Sequence, residues 1–158
     1  MNGSEARRPP DWDLRRDRIT IITGPPGAGK TMTAIRERRE GDIIIDFDYI
    51  ADALTLHGRP HEDHSDVFST AKLIRDTLID AIADGSLMYS RAFIIASDTS
   101  AAERIRRKTG GKILTVNPGI KETLRRIEAD DSVTVEEKAS RKDAALAWYY
   151  RLDAKKKR

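Results

Sequence analysis

Cysteine is absent from the 158 residues, which excludes disulfides, thiolate-held zinc and a cysteine nucleophile. No apolar run approaches the roughly 20 residues that span a bilayer, and the polar first residues lack the apolar core of a secretory signal. A soluble, cytoplasmic protein without a membrane partner is expected. Internal repeats and any sign of a second domain are missing too. A single domain of this length buries roughly two-thirds of its unfolded surface, enough for a core without covalent or metal staples.

Charged residues make up 35% of the chain, and the net charge is +3. The charge is unevenly placed: residues 1–90 carry 12 basic and 16 acidic side chains, residues 91–158 carry 17 and 10. The second part could face phosphates or nucleic acid, or could be a solvated helical surface with a Lys-rich tail. Acidic residues are interspersed throughout it, which leaves both open.

The most specific stretch is ITIITGPPGAGKT, residues 19–31. It fits G-x-x-x-x-G-K-[ST] at Gly24, Gly29, Lys30 and Thr31, after an apolar strand and before a helical pattern, the context of a P-loop. Glycines let successive backbone N–H groups curl around phosphate oxygens, and the following helix N-terminus favours an anion. Gly24, Pro25, Pro26, Gly27, Ala28, Gly29, Lys30, Thr31 and Met32 are the expected nucleotide-binding residues. Lys30 would reach the terminal phosphates, and Thr31 would offer its hydroxyl to Mg²⁺.

Residues 1–17 read as a loose leader that Trp12 could pin to the body, 18–153 as one domain, and 154–158 as a basic tail. Strands are expected at 19–23, 43–45, 92–96 and 113–116. Helices are expected at 30–40 (closed by Gly41), 49–54 and 66–84 (closed by Gly85). A basic helix should open with a capping box at Ser100 and Glu103 and end at Gly110. Asn117-Pro118 looks like an N-cap and first helical residue for a helix to about 130, and Thr134 with Glu137 can cap a last helix to about 152. This alternation implies an α/β fold: a three-layer P-loop NTPase fold whose parallel sheet of four or five strands is flanked by helices, with ligands at the carboxyl ends of the strands.

Asp46, Asp48 and Asp98 sit where strands end, on the edge the glycine-rich loop occupies. Mg²⁺ needs oxygen ligands near Thr31, and transfer to a hydroxyl benefits from a carboxylate that orients or deprotonates the acceptor. If strand geometry continued past residue 45, Asp46 and Asp48 would share a face. Asp48 is assigned to the acceptor, Asp46 to the metal, and Asp98 competes with Asp46. Either of the first two could instead only cap a helix, and Asp98 could be a helix N-terminal carboxylate.

GPPGAGKT followed by a second strand running into D-x-D resembles the small P-loop kinases, which include shikimate and gluconate kinases, nucleoside and nucleotide kinases, polynucleotide 5′-kinases and zeta toxins. The resemblance implies that Asp48 faces the acceptor hydroxyl and that Asp46 attends the metal. LTVNPGIKETLRRIEADD is similar to the strand, proline and L-x-R-I helix before a kinase lid, with Leu124, Arg126 and Ile127 on the pattern. Arg126 would hold ATP phosphates, stabilising charge on the transferred group, or would be a surface arginine paired with Glu122. Where many members carry a second arginine this chain has Asp130, so the other lid cation must come from Arg125, Arg141 or Lys142, or be absent.

The acceptor pocket is expected between the second and third strands, where His57, Arg59, His61, His64 and Arg75 lie. Arginines there suit an anionic acceptor, whereas the histidines with Asp63 match no metal site. Trp148-Tyr149-Tyr150 could stack on a base, but helical spacing favours docking of the last helix. The expected activity is an ATP- and Mg²⁺-dependent phosphotransferase whose partners are a nucleoside triphosphate and a nucleotide or nucleic-acid end as acceptor. The rival is a non-kinase ATPase driving DNA or a protein partner. It is disfavoured because neither Asp46 nor Asp98 is followed by a water-activating Glu and because the chain ends too soon for an AAA-type helical lid domain. A binding-only relic is the third possibility.

Overall fold

Ile19, Ile21 and Ile22 have no solvent exposure, because the strand they form, β1 (Ile19–Thr23), has a parallel neighbour on each side. The computed structural model describes residues 12–56 and 64–157. β1 pairs with β3 (Ala92–Ile95) and with β4 (Lys112–Thr115), while β2 (Ile43–Ile45) pairs with the far side of β3. The order is β2-β3-β1-β4, a four-stranded parallel sheet. A central strand covered on both faces must be apolar along its length, which is why β1 and β3 read as continuous hydrophobic runs.

Helices cover both faces. Ile22 and Phe93 pack with Ala34 of α2 (Lys30–Glu37) on one side. On the other, Ile19, Ile21, Ile45 and Ile94 pack with Ile79 and Ile82 of α4 (Phe68–Asp84) and with Ala101, Ala102 and Ile105 of α5 (Thr99–Thr109). Strand β1 leads towards β2 and β3 leads towards β4, in opposite directions along the sheet. The adjacent carboxyl ends of β1 and β3 therefore form a switch point, the crevice where α/β sheets take ligands. The remaining helices are α1 (Trp12–Arg18), α3 (Phe47–Thr55), α6 (Ile120–Glu128) and α7 (Val135–Lys156).

Several boundaries differ from the sequence expectation for identifiable reasons. The end of the expected leader is helical from Trp12 to Arg18, and Arg18 closes it by donating to the Ser90 and Tyr89 carbonyls; residues 1–11 lie outside the described residues. α2 stops at Glu37 because Arg38 is extended, so Gly41 turns the chain without capping the helix. α5 opens two residues earlier than expected: Asp98 is its N-cap and accepts from the Ala101 N–H at 2.8 Å. Asn117 does not cap α6. Its side chain accepts from the Gly119 N–H at 3.0 Å, and the helix begins only at Ile120. The Thr134–Glu137 capping box forms as expected, but α7 continues to Lys156, into the expected tail. Among the described residues no helix is long and apolar enough to cross a membrane.

Candidate functional site

The turn between β1 and α2 is shaped by what lies beneath it. Gly27 has φ 76°, and a Cβ there would meet Ile127 Cγ1 of α6 at 2.7 Å; a Cβ at Gly24 would run into the Val116 carbonyl oxygen. Only glycine fits either position. The turn closes with Ala28 N–H donating to Pro25 O at 3.1 Å, and α2 then starts with Thr33 N–H donating to Gly29 O at 2.9 Å. The first turn of α2, Lys30 to Met32, lines a cavity, and a helix start favours negative charge.

Lys30, the first residue of α2, folds back so that Nζ donates to Gly24 O at 2.9 Å and Pro25 O at 3.1 Å. Burial lowers its pKa below the ordinary lysine value, and the charges of Asp46 and Asp48 oppose that shift. Next to it, Thr31 Oγ1 donates to Asp46 Oδ2 at 2.6 Å.

Asp46 is buried and does two jobs. It is the N-cap of α3, with Oδ1 accepting from the Asp48 N–H at 3.0 Å, and its other oxygen faces Thr31. The strand geometry expected to bring Asp46 and Asp48 onto one face does not continue, because the helix begins at Phe47. The two carboxylates come to the same cavity as cap and first-turn residue of α3 instead.

Arg126 reaches the loop from α6. Its Nη1 donates to Ala28 O at 3.0 Å and its Nε to Glu122 Oε1 at 2.7 Å. Hydrogen bonds from Arg125 and then Arg126 hold the Glu122 carboxyl at a pKa of about 2. Arg126 thus makes the expected pair with Glu122 and, in addition, a hydrogen bond to the loop.

These groups line one cavity of about 730 Å³. Pro26, Gly27, Gly29, Lys30, Thr31, Met32, Asp46, Asp48 and Arg126 all face it, as does Arg75 of α4. Gly24, Pro25 and Ala28 contribute backbone carbonyls behind it, bound by Lys30 and Arg126. Asp98 is not among the lining residues. Its carboxylate accepts from Ala101 N–H and from the Ser97 hydroxyl, and the Ala101 hydrogen bond is the main cause of its lowered pKa.

Of the three candidate lid cations, Arg141 lines the cavity, with Nη1 3.1 Å from Asp130 Oδ2. Arg125 pairs with Glu122 and Lys142 with Glu128. His57, Arg59, His61 and Asp63 lie outside the described residues. His64 is drawn to α3, its Nε2 2.9 Å from Asp52 Oδ1. No group of three His, Cys, Asp or Glu residues capable of holding a metal occurs among the described residues. Trp148 is buried, and Tyr149 Oη bonds Thr123 Oγ1 and Asn117 Oδ1 at 2.9 Å each, so this stretch docks α7 onto α6.

The cavity also has walls that the sequence did not single out: Phe47, Tyr49, Phe68, Lys72 and Ser97. Phe68, Lys72 and Arg75 recur at helical spacing beside the core stripe of α4, a signal visible only once that stripe is known to be turned inward.

Fold and cavity together define an α/β protein whose sheet and loop are compatible with a P-loop-like fold. The chain matches no protein-family model and no curated protein. Among solved structures it is similar to one chain of the "Structure of the Pnkp1/Rnl/Hen1 RNA repair complex", with a TM-score of 0.61 and 13% sequence identity. The match covers 86% of this chain and 45% of that one, so this chain spans less than half the length of its neighbour. At that identity the likeness is one of fold.

Proposed function

We propose that the chain is a P-loop kinase, an ATP- and Mg²⁺-dependent phosphotransferase that passes the γ-phosphoryl of ATP to an acceptor, with nucleotides and polynucleotide 5′-ends as the leading acceptors. The observation that carries this is the 2.6 Å hydrogen bond from Thr31 to Asp46 in a cavity that also holds Lys30, Asp48 and Arg126. The turn at 24–29 and the first N–H groups of α2 take the phosphates. Lys30 exchanges its carbonyl partners for phosphate oxygens. Thr31 and Asp46 supply hard oxygen donors, the kind Mg²⁺ accepts when water and phosphate complete its shell. Bound Mg²⁺ supplies charge neutralisation at the phosphate oxygens.

Asp48 accepts the proton of the acceptor hydroxyl as that oxygen bonds to the γ-phosphorus. The bond from this phosphorus to the β–γ bridging oxygen breaks, and ADP leaves with the electron pair. Arg126 stabilises the charge spread over the transferred group. The basic balance of residues 91–158, and a fold shared with a chain of an RNA repair complex, are in keeping with nucleotide or nucleic-acid acceptors.

The test is incubation with γ-labelled ATP and a panel of nucleosides, nucleotides, 5′-hydroxyl oligonucleotides, shikimate and sugar acids. Label in an acceptor supports the kinase. Label released only as free phosphate, with stimulation by DNA or a protein partner, replaces it with the ATPase.

A further inference from the structure

Helix α4 carries two stripes. Ile79 and Ile82 are buried against the sheet, and Ala71 is buried as well. Phe68, Lys72 and Arg75, related by four and then three residues, form a second stripe that lines the cavity. Phe68 keeps 52% of its surface exposed, although its ring meets Phe47 at 5.2 Å between centroids. Tyr49 on the facing helix α3 is 46% exposed. Half of the Phe68 surface is thus left to solvent, and an exposed ring on a cavity wall is a surface for another planar ring. Beside them, Lys72 and Arg75 share the carboxylate of Asp76, at 2.6 and 2.9 Å. Two cations against one carboxylate on that stripe suit an anion, and Asp48 shares the same cavity.

We infer that this lobe is an acceptor subsite for a nucleobase that carries its own phosphate, the base lying on Phe68 and the phosphate meeting Lys72 and Arg75. The role of Asp48 in it rests on the phosphotransferase proposal; the binding itself does not. The shared chemistry has two sources, a free mononucleotide and the 5′-hydroxyl end of an oligonucleotide. Shikimate and sugar acids lack the ring and fall outside it.

Binding is measured by calorimetry on the full chain in the presence of a non-hydrolysable ATP analogue, with 5′-mononucleotides, a short 5′-hydroxyl oligonucleotide and gluconate as separate arms. One of the two nucleotide arms binds saturably and gluconate does not. Stacking of this kind predicts that Phe68→Ala weakens the bound arm about 10- to 100-fold, that Phe68→Trp restores it, and that affinity for the ATP analogue alone stays within about twofold. Lys72→Gln weakens the phosphate-bearing ligand but not the matching nucleoside. Gluconate binding in place of nucleotides, no binding in either nucleotide arm, or a Phe68→Ala affinity equal to that of the parent chain overturns the subsite. Saturable, Phe68-dependent binding without phosphoryl transfer keeps the subsite and rejects the kinase, so the two proposals fail separately.

Discussion

Thr31 Oγ1 and Asp46 Oδ2 lie 2.6 Å apart across 15 residues of sequence, joining the start of α2 to the start of α3. Because the other oxygen of Asp46 caps α3, removing the charge and removing the cap are separable. Asp46→Asn keeps a good N-cap and leaves the melting temperature close to the parent, whereas Asp46→Ala loses the cap and about 1 kcal/mol of stability. Both variants need more Mg²⁺ for phosphoryl transfer. Thermal melts alongside Mg²⁺ titrations of the transfer rate separate the two roles.

In the proposed phosphotransferase, Asp48 belongs to the acceptor half and Lys30 to the donor half. Asp48→Asn reduces transfer by at least 100-fold, the lower range for a lost general base, with ATP affinity nearly unchanged. Lys30→Ala weakens ATP binding itself. Near-normal transfer by the Asp48 variant rejects the assignment.

Alkaline pH acts on Lys30 in two opposed ways. Burial lowers its pKa below that of an ordinary lysine, so the folded chain gives up this proton before the unfolded chain does. As pH rises through the folded pKa towards the unfolded one, the unfolded state holds the extra proton, and the contribution of this group to stability increases. Phosphate binding needs the ammonium, so ATP affinity falls over the same range. Nucleotide titrations and melts from pH 7 to about 10 reveal the crossing trends, and Lys30→Arg, which stays charged, loses them.

Acid acts on Glu122. Its folded pKa of about 2 lies below the ordinary 4.5, so its contribution to stability is complete above about 4.5 and is lost as pH falls to about 2. Glu122→Gln flattens that acid arm. It also frees Arg126 Nε from its partner, and kcat falls more than KM for ATP rises. Melting curves across this range and steady-state kinetics at neutral pH check the two effects.

Gly27→Ala places a methyl against Ile127 at a backbone φ of 76°, costing about 1–3 kcal/mol by overpacking. Ile127→Ala, which removes the Cγ1 that the new methyl meets, is less costly in the Gly27→Ala chain than in the parent. Denaturant unfolding of the single and double variants measures the coupling.

Legibility in the sequence followed the range of the forces involved. The strands at 19–23 and 43–45, the glycine turn and the Thr134 capping box are local patterns, readable without partners. Asp98 was legible as a helix N-terminal carboxylate, but Ser100 with Glu103 offered a competing cap, and sequence alone does not say which side chain meets the free N–H. Asn117-Pro118 misled because Gly119, at φ 90° and ψ 152°, delays the helix. The convergence of Asp46 and Asp48 was expected from strand alternation and arises from a helix cap. Of the wall of α4 only Arg75 was legible, as a cation of the expected acceptor segment; Phe68 and Lys72 were not, since the packed fold decides which stripe of that helix lines the cavity.

The floor of the glycine turn is drawn from far along the chain: Val116 under Gly24, Ile127 under Gly27 and Arg126 beside Gly29. Contacts of such long sequence separation form late, after much loop-closure entropy has been lost. During synthesis, then, the chain emerges with its glycine turn already translated but without the residues that lie beneath it. The shape of the glycine turn is completed only when α6 leaves the ribosome and closes beneath a turn made about a hundred residues before it.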